Sequence, residues 1–290
     1  MTYFDMGKPL MSRYWGGLLW TPWIKFTELD KDSLPRQPGI YRVRPVGKNF
    51  LMYIGQTSRT LDVRVRKELA GTFLKAGDEM PFNDPHTAAQ SLWVWAREEG
   101  WEYECSVAPV DLTKDDTGKL LETWESFLLW LHRVQTGDST LCNFGKFHPK
   151  YTRSRNKRTG IRGARITDGS RNPAGLPSVA PVKSLSDLHW SEMQFCTDYY
   201  LNKVPNVPGV YIIRDMSRVQ YVGQSMHLRD RLKSHCIPEH GYLFEYCALY
   251  RDLRHQLLEI ENDVIGIHIK YDGRPPKHQF EDYKFIMIMD

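Results

Sequence analysis

The sequence predicts an α+β protein made of two copies of one small domain, each running β-hairpin, helix, strand, helix. Three observations lead there: an internal repeat offset by 170 residues, an alternating pattern that gives way to helical period within each copy, and a basic, Gly- and Pro-rich stretch between the copies.

The elements follow in order. Residues 1–30 form an N-terminal arm carrying Trp15, Trp20 and Trp23. The first domain, 31–148, opens on Leu-Pro-Arg-Gln-Pro-Gly-Ile-Tyr at residues 34 to 41, and the second, 185–290, repeats it as Val-Pro-Asn-Val-Pro-Gly-Val-Tyr at 204 to 211. Each runs into a strand, Ile40 to Arg44 or Val210 to Ile213, then a polar turn and a second strand, Leu51 to Gln56 or Val219 to Gln224. Apolar residues then recur every four positions, at Leu61, Val65 and Leu69 and at Leu228 and Leu232, which predicts a helix in each copy. A third strand follows at Trp101 to Val110 and at Leu243 to Tyr250. The last helix carries Leu-Leu-Glu in both, at 120–122 and 257–259. About 50 residues part the two helices of the first copy, against about 20 in the second, so the first holds an insertion.

With 290 residues, 41% hydrophobic, 26% charged and 12% aromatic, the chain has the composition of a folded protein and not of a disordered, collagenous or disulfide-scaffold one. No run of 18 apolar residues occurs, and Asp5, Lys8 and Arg13 interrupt the first twenty, so a soluble, cytoplasmic protein with no membrane partner is expected. Five cysteines (Cys105, Cys142, Cys196, Cys236, Cys247) without a C-x-x-C pair predict free thiols, neither a disulfide framework nor a four-ligand zinc site.

The net charge of +4 is unevenly spread. From Lys146 to Arg171 there are nine basic residues and one acid, Asp168, so this stretch carries +8 and the remainder −4. With Gly160, Gly163, Gly169, Pro173, Gly175 and Pro177 and no apolar period, 149–184 reads as an interdomain linker. It is either a solvated tether or a strip lying along a phosphate backbone, with Lys146, Lys150, Arg153, Arg155, Lys157, Arg158, Arg162 and Arg165 as the DNA-contacting residues.

The hairpin places two tyrosines per copy, Tyr41 with Tyr53 and Tyr211 with Tyr221, where glycines beside them allow both phenols to approach one ligand. On the following helix Arg64 and Glu68, and Arg231 and His235, stand at i and i+4 and share a face. Glu122 and Glu259, on mostly apolar helices, are costly to bury without a cation, and a hard divalent ion such as Mg²⁺ would satisfy either. Tyr, Arg, Glu and such an ion together suit phosphoryl chemistry.

These residues resemble the GIY-YIG nuclease superfamily, present twice. The motif stands as Gly39-Ile40-Tyr41, eleven residues, Tyr53-Ile54-Gly55, and as Gly209-Val210-Tyr211, nine residues, Tyr221-Val222-Gly223. Arg64 and Arg231 follow eleven and ten residues after the second tyrosine. The resemblance implies a three-stranded antiparallel sheet flanked by helices and Mg²⁺- or Mn²⁺-dependent hydrolysis of double-stranded DNA. It implies water activation by Tyr41 and Tyr211, phosphate orientation by Tyr53 and Tyr221, and phosphorane stabilisation by Arg64 and Arg231. It further implies support of the activating tyrosine by His235, metal ligation by Glu122 and Glu259, with Glu125 and Glu261 as rivals one turn on, and a bracing role for Asn143.

Two positions depart from the pattern: Glu68 stands where His or Tyr is expected and should pair with Arg64, and Gln279 replaces the terminal Asn of the second copy. The expectation is an endonuclease of restriction or defence type whose two sites allow a monomer to cut both strands. Its rivals are a DNA-binding protein in which one copy, the first by its Glu68, is an inactive recognition module, and a repair or mobile-element nuclease. The tryptophans of the arm either clamp DNA or are core.

Overall fold

The computed structural model describes residues 4–112, 119–236, 241–250 and 253–281. It divides into two compact units that meet in sequence between Pro177 and Ser178.

In the first unit, strands β1 (Ile24–Lys25), β2 (Gly39–Pro45), β3 (Tyr53–Thr57) and β4 (Tyr103–Pro109) form one antiparallel sheet in the order β1-β4-β2-β3. Its helices are α1, wound with π spacing over Asp62–Ala70 and continuing as a short α turn Gly71–Lys75, then α2 (Thr87–Glu99) and α3 (Lys119–Thr136). The periodic residues Leu61, Val65 and Leu69 are fully buried, as their four-residue spacing predicts, against Tyr41, Val43 and Val107 of the sheet.

The second unit repeats the plan with β5 (Gln194–Phe195), α4 (Asp198–Leu201), β6 (Gly209–Arg214), β7 (Val219–Ser225), α5 (Leu228–His235), β8 (Leu243–Ala248) and α6 (Arg254–Asp272). The sheet order is β5-β8-β6-β7, the counterpart of the first. Both sheets are therefore four-stranded and not three-stranded. The extra strand is a two-residue piece from the segment preceding each hairpin, Ile24 opposite Cys105 and Gln194 opposite Phe244, which pairs part of an otherwise open edge. Two residues show no alternation, so the sequence pattern could not mark them.

The N-terminal arm is core. Trp15 and Trp20 are fully buried, and with Trp23 they surround the Arg42 guanidinium at 5.7, 4.3 and 4.7 Å from its carbon to the ring centroids. Arg42 also donates to the carbonyls of Leu10 at 2.6 Å and Ser12 at 3.2 Å.

The basic stretch is not a free linker, because residues up to Pro177 belong to the first unit. Chain from 150 to 166 folds back as a hairpin: Thr152 N–H donates to Ala164 at 2.9 Å, Arg155 to Ile161 at 2.9 Å, and Ile166 to Lys150 at 2.8 Å. Side chains and loops fasten it, through Ser154 N–H to Gln90 Oε1 at 2.8 Å and Lys157 N–H to Asp84 Oδ1 at 2.7 Å. A segment tied by polar contacts leaves no apolar period to read. Residues from Ser178 onward belong to the second unit, where buried acids of α6 hold them: Glu259 Oε2 accepts from Val179 N–H at 3.0 Å and Asp263 Oδ2 from Val182 N–H at 2.8 Å. Cys196 and Cys236 are joined in a disulfide, which corrects the expectation of five free thiols; their 40-residue separation carries no motif.

Among the described residues, no helix is long and apolar enough to cross a membrane.

Candidate active sites

Each site starts from the register of its hairpin. Tyr41 lies opposite Gly55, and Tyr211 opposite Gly223. A Cβ on Gly55 would sit 2.6 Å from Cζ of Tyr41 and 2.6 Å from Cε1 of Tyr53, so the missing side chain is what lets the two rings meet across the strand. Their centroids are 5.9 Å apart, and those of Tyr211 and Tyr221 are 6.2 Å apart.

A histidine completes each pair. In the second unit it is the expected His235 on α5, whose Nδ1 is 3.2 Å from Tyr211 Oη and whose ring is 5.4 Å from that of Tyr221. In the first unit the corresponding place on α1 is Glu68, yet a histidine is present: His86, from the insertion, brings Nε2 to 2.7 Å from Tyr41 Oη and its ring to 5.6 Å from Tyr53. Sequence reasoning missed it. Its one local signal is its place before the apolar run of α2, and His is not among the residues that favour a helix N-cap.

Burial governs the electrostatics. It pushes the Tyr41 phenol up to about 12, against the pull of Arg64, and Tyr53 and Tyr211 well above their ordinary value. It pushes His86 down to about 3, with Arg64 and Arg59 adding repulsion, and His235 down to about 4, with Arg231 adding to it. Both imidazoles are neutral at pH 7. As expected, Glu68 pairs with Arg64, at 2.9 Å, and it also takes a two-pronged contact from Arg59 at 2.7 Å to each oxygen. Burial opposes ionisation of Glu68, but the two guanidinium groups outweigh it and hold the carboxyl below its usual range. Arg64 donates further to Pro85 O at 3.1 Å, so it ties α1 to the loop that carries His86.

The bracing amides are in place in both units. Asn143 accepts from Ile54 N–H at 3.0 Å and donates to Ile54 O at 2.8 Å, imitating a strand partner. Gln279 makes the same pair of bonds to Val222, at 2.9 and 3.0 Å. The longer amide thus grips the equivalent motif residue.

The rival acids one turn on come into play. Glu125 is an acid whose charge raises the phenols of Tyr41 and Tyr53, and Glu261 is one that raises Tyr211. Successive helical residues turn by about 100°, so Glu259 and Glu261 point to opposite sides of α6, while Glu122 and Glu125 share a face of α3. Glu259 is fully enclosed and already accepts from Val179 N–H, so it fastens the segment that enters the second unit. Glu122 sits one turn before Glu125 and raises it. Two frames align the last helices: Leu-Leu-Glu pairs Glu122 with Glu259, and the frame one residue away pairs Glu125 with Glu261 and also His132 with His268.

Burial first, then Glu122, pushes the Glu125 carboxyl up to about 7, and burial pushes Glu261 up to about 8 against the Gln224 backbone and Arg231. A carboxylate so disfavoured as an anion is one that a divalent cation would relieve, and one such ligand with waters and phosphate oxygens suits Mg²⁺ or Mn²⁺. Among the described residues no three His, Cys, Asp or Glu side chains gather to form a larger ligand set.

Of the eight basic residues expected on DNA, Lys146 is buried, with Nζ 3.8 Å from Asp138. Its burial sets it apart from the exposed cations of the stretch. Arg153 spends a guanidinium nitrogen on the carbonyls of Gly145 and Lys146. Lys150 and Arg165 pair with Glu98 at 3.3 and 3.6 Å, and Arg162 with Glu79 at 3.1 Å. Arg155, Lys157 and Arg158 are exposed at the hairpin tip. Because Asn83 N–H donates to Arg155 O at 3.1 Å and Asp84 accepts from Lys157, the tip is docked on the chain just before His86. Beside it lies a groove of about 360 Å³ lined by Lys67, Lys75, Lys157 and Arg162 together with Glu79 and Asp84. The basic stretch is therefore part of the surroundings of the first site.

Compared with known proteins, the chain matches no family model and no curated protein.

Proposed function

We propose that the protein is a divalent-metal-dependent DNA endonuclease of the GIY-YIG type, with one site in each unit and a restriction or defence role. The observation that carries this reading is the duplicated cluster of two tyrosines, a histidine, an arginine and a half-buried glutamate, assembled twice from partly different chain positions. In each site the guanidinium is within hydrogen-bond reach of the first phenol, a pairing of groups suited to a phosphodiester. Arg64 or Arg231 meets the charge that grows on the phosphoryl oxygens as water adds to phosphorus and the P–O bond to the leaving oxygen breaks. Tyr41 or Tyr211 holds the attacking water, and Tyr53 or Tyr221 orients the phosphate. Glu125 and Glu261 would hold the metal ion, which when bound stabilises negative charge on the phosphate and leaving oxygens. The exposed cations of the hairpin tip and groove supply sequence-independent attraction to the backbone beside the first site.

The test is cleavage of supercoiled plasmid in Mg²⁺. Wild type should yield linear product, Glu125→Ala and Glu261→Ala should each accumulate nicked circles, and the double variant should leave the plasmid intact. Linear product from Glu125→Ala at the wild-type rate would assign the first unit to recognition. Failure of the wild type to cut any plasmid, methylated or not, would overturn the nuclease reading.

A further inference from the structure

The insertion in the first unit does more than cover the sheet. His86 caps α2, and its Nδ1 accepts from Ala88 N–H at 3.2 Å. A nitrogen that accepts a hydrogen bond carries no proton, and a neutral imidazole carries one proton in all, so that proton is on Nε2. Nε2 is the atom 2.7 Å from Tyr41 Oη. The helix cap therefore selects the tautomer, and the tautomer decides the direction of the bond: His86 donates and Tyr41 accepts.

We infer that His86 is the positioning residue of the first site, an N–H donor locked by the cap of α2 that fixes the Tyr41 oxygen and takes the place left by Glu68. This inference rests on the reading of that cluster as a catalytic site. It also fixes what His86 is not. With Nε2 already protonated and Nδ1 engaged by a backbone amide, it has no lone pair to receive the Tyr41 proton, so it orients the phenol and does not act as its base. The bond occupies one lone pair of the Tyr41 oxygen and sets the ring relative to Tyr53 on β3, Arg64 on α1 and Glu125 on α3. The loop that delivers His86 is in turn held by Arg64 through Pro85 O and by the basic hairpin through Asn83 and Asp84. A strand gripped by that hairpin and the phenol that meets its phosphate would thus share one support.

Two readouts on the full chain test this. Nitrogen-15 spectra of histidine-labelled protein should show His86 as the Nε2–H tautomer, its Nε2 proton protected from exchange in wild type and released in Tyr41→Phe. A bare Nε2 would overturn the inference whatever the protein does to DNA. The second readout uses the Glu261→Ala background, in which nicking reports the first site alone. There His86→Ala should lower kcat about 10- to 100-fold with KM within about twofold. His86→Gln, whose amide can accept from Ala88 and donate to Tyr41, should recover most of the loss. Equal rates in all three proteins would overturn the role, as would a loss that Gln does not repair while the melting temperature is unchanged. If wild type cuts no DNA at all, the nuclease reading falls and the positioning role falls with it; the spectra then decide only whether the His86 to Tyr41 bond is made as drawn.

Discussion

The two sites reach similar ring clusters by different routes. In the second unit the histidine comes from α5, one turn after Arg231, and all ring partners lie within 25 residues of chain, from Tyr211 to His235. In the first the same helical position holds Glu68, and the ring arrives from His86, 45 residues beyond Tyr41 in sequence. The ring-to-ring spacings nonetheless agree within a few tenths of an ångström: 5.9, 6.0 and 5.6 Å in the first and 6.2, 5.8 and 5.4 Å in the second. What both units preserve is the arrangement around the phenols. The chain position that supplies each part is free to move, provided something local fixes it, as the cap of α2 fixes His86.

The sharpest way to break the comparison is at the arginines. Arg64→Ala and Arg231→Ala should each slow the cut made by their own unit about 10²- to 10³-fold, leaving nicked circles in place of linear plasmid. A variant that still linearises at the wild-type rate would show that the two clusters are not functional equals.

Next is metal uptake. Glu125 and Glu261 titrate in the folded protein at about 7 and about 8, raised from the ordinary carboxylate value of 4.5. Bringing either to its anionic form costs stability as pH rises through those values, and a bound cation removes that cost while displacing the proton. Mg²⁺ should therefore raise the melting temperature more at pH 8 than at pH 6. An equal rise at both pH values would place the ion elsewhere.

Smaller effects come from packing. Gly55→Ala and Gly223→Ala insert a Cβ at 2.7 Å or less from the paired tyrosine side chains, and each should lower the stability of its unit by about 1–3 kcal/mol in denaturant unfolding. Asn143→Ala strands both backbone groups of Ile54 and should cost about 1–3 kcal/mol, while Asn143→Gln tests whether the first unit accepts the longer brace of the second. Glu259→Gln keeps an acceptor for Val179 and should leave cleavage unchanged, which separates it from Glu261→Gln.

The smallest effect concerns the hairpin tip. Replacing Arg155, Lys157 and Arg158 with Ala should flatten the slope of log affinity against log salt by about 2 to 3. An unchanged slope would return the tip to a purely structural part.

Much of this was legible in the sequence because it rests on short-range pattern. The glycines and tyrosines of each hairpin and the helical spacing to Arg64 and Arg231 are fixed by local register, whereas the amides at Asn143 and Gln279, which grip Ile54 and Val222 from far along the chain, were legible only through the resemblance. What escaped depends on contacts between distant residues. His86 lies in an insertion without a repeat partner. Glu125 and Glu261 differ from Glu122 and Glu259 in which way the helix turns them, and a shared tripeptide marks only one of the two frames. The tryptophan arm and the basic hairpin have no period, since the first is organised around Arg42 and the second by polar ties to Gln90 and Asp84.

The seating of that arm has a consequence for assembly order. Ile24 pairs with Cys105, Trp15 Nε1 donates to Gln135 Oε1 at 3.0 Å, and Trp20 closes on Arg42. Trp15 must therefore wait 120 residues for its partner on α3, whereas Trp20 meets Arg42 early. Long-range closure of this kind slows folding, and until α3 has been synthesised Trp15 lacks the acceptor for its indole N–H. By contrast, the hairpin of β6 and β7 with α5 completes most of its contacts within one short span. We expect the second unit to refold faster than the first, and pulse-labelled hydrogen exchange on the two sheets would show in which order they close.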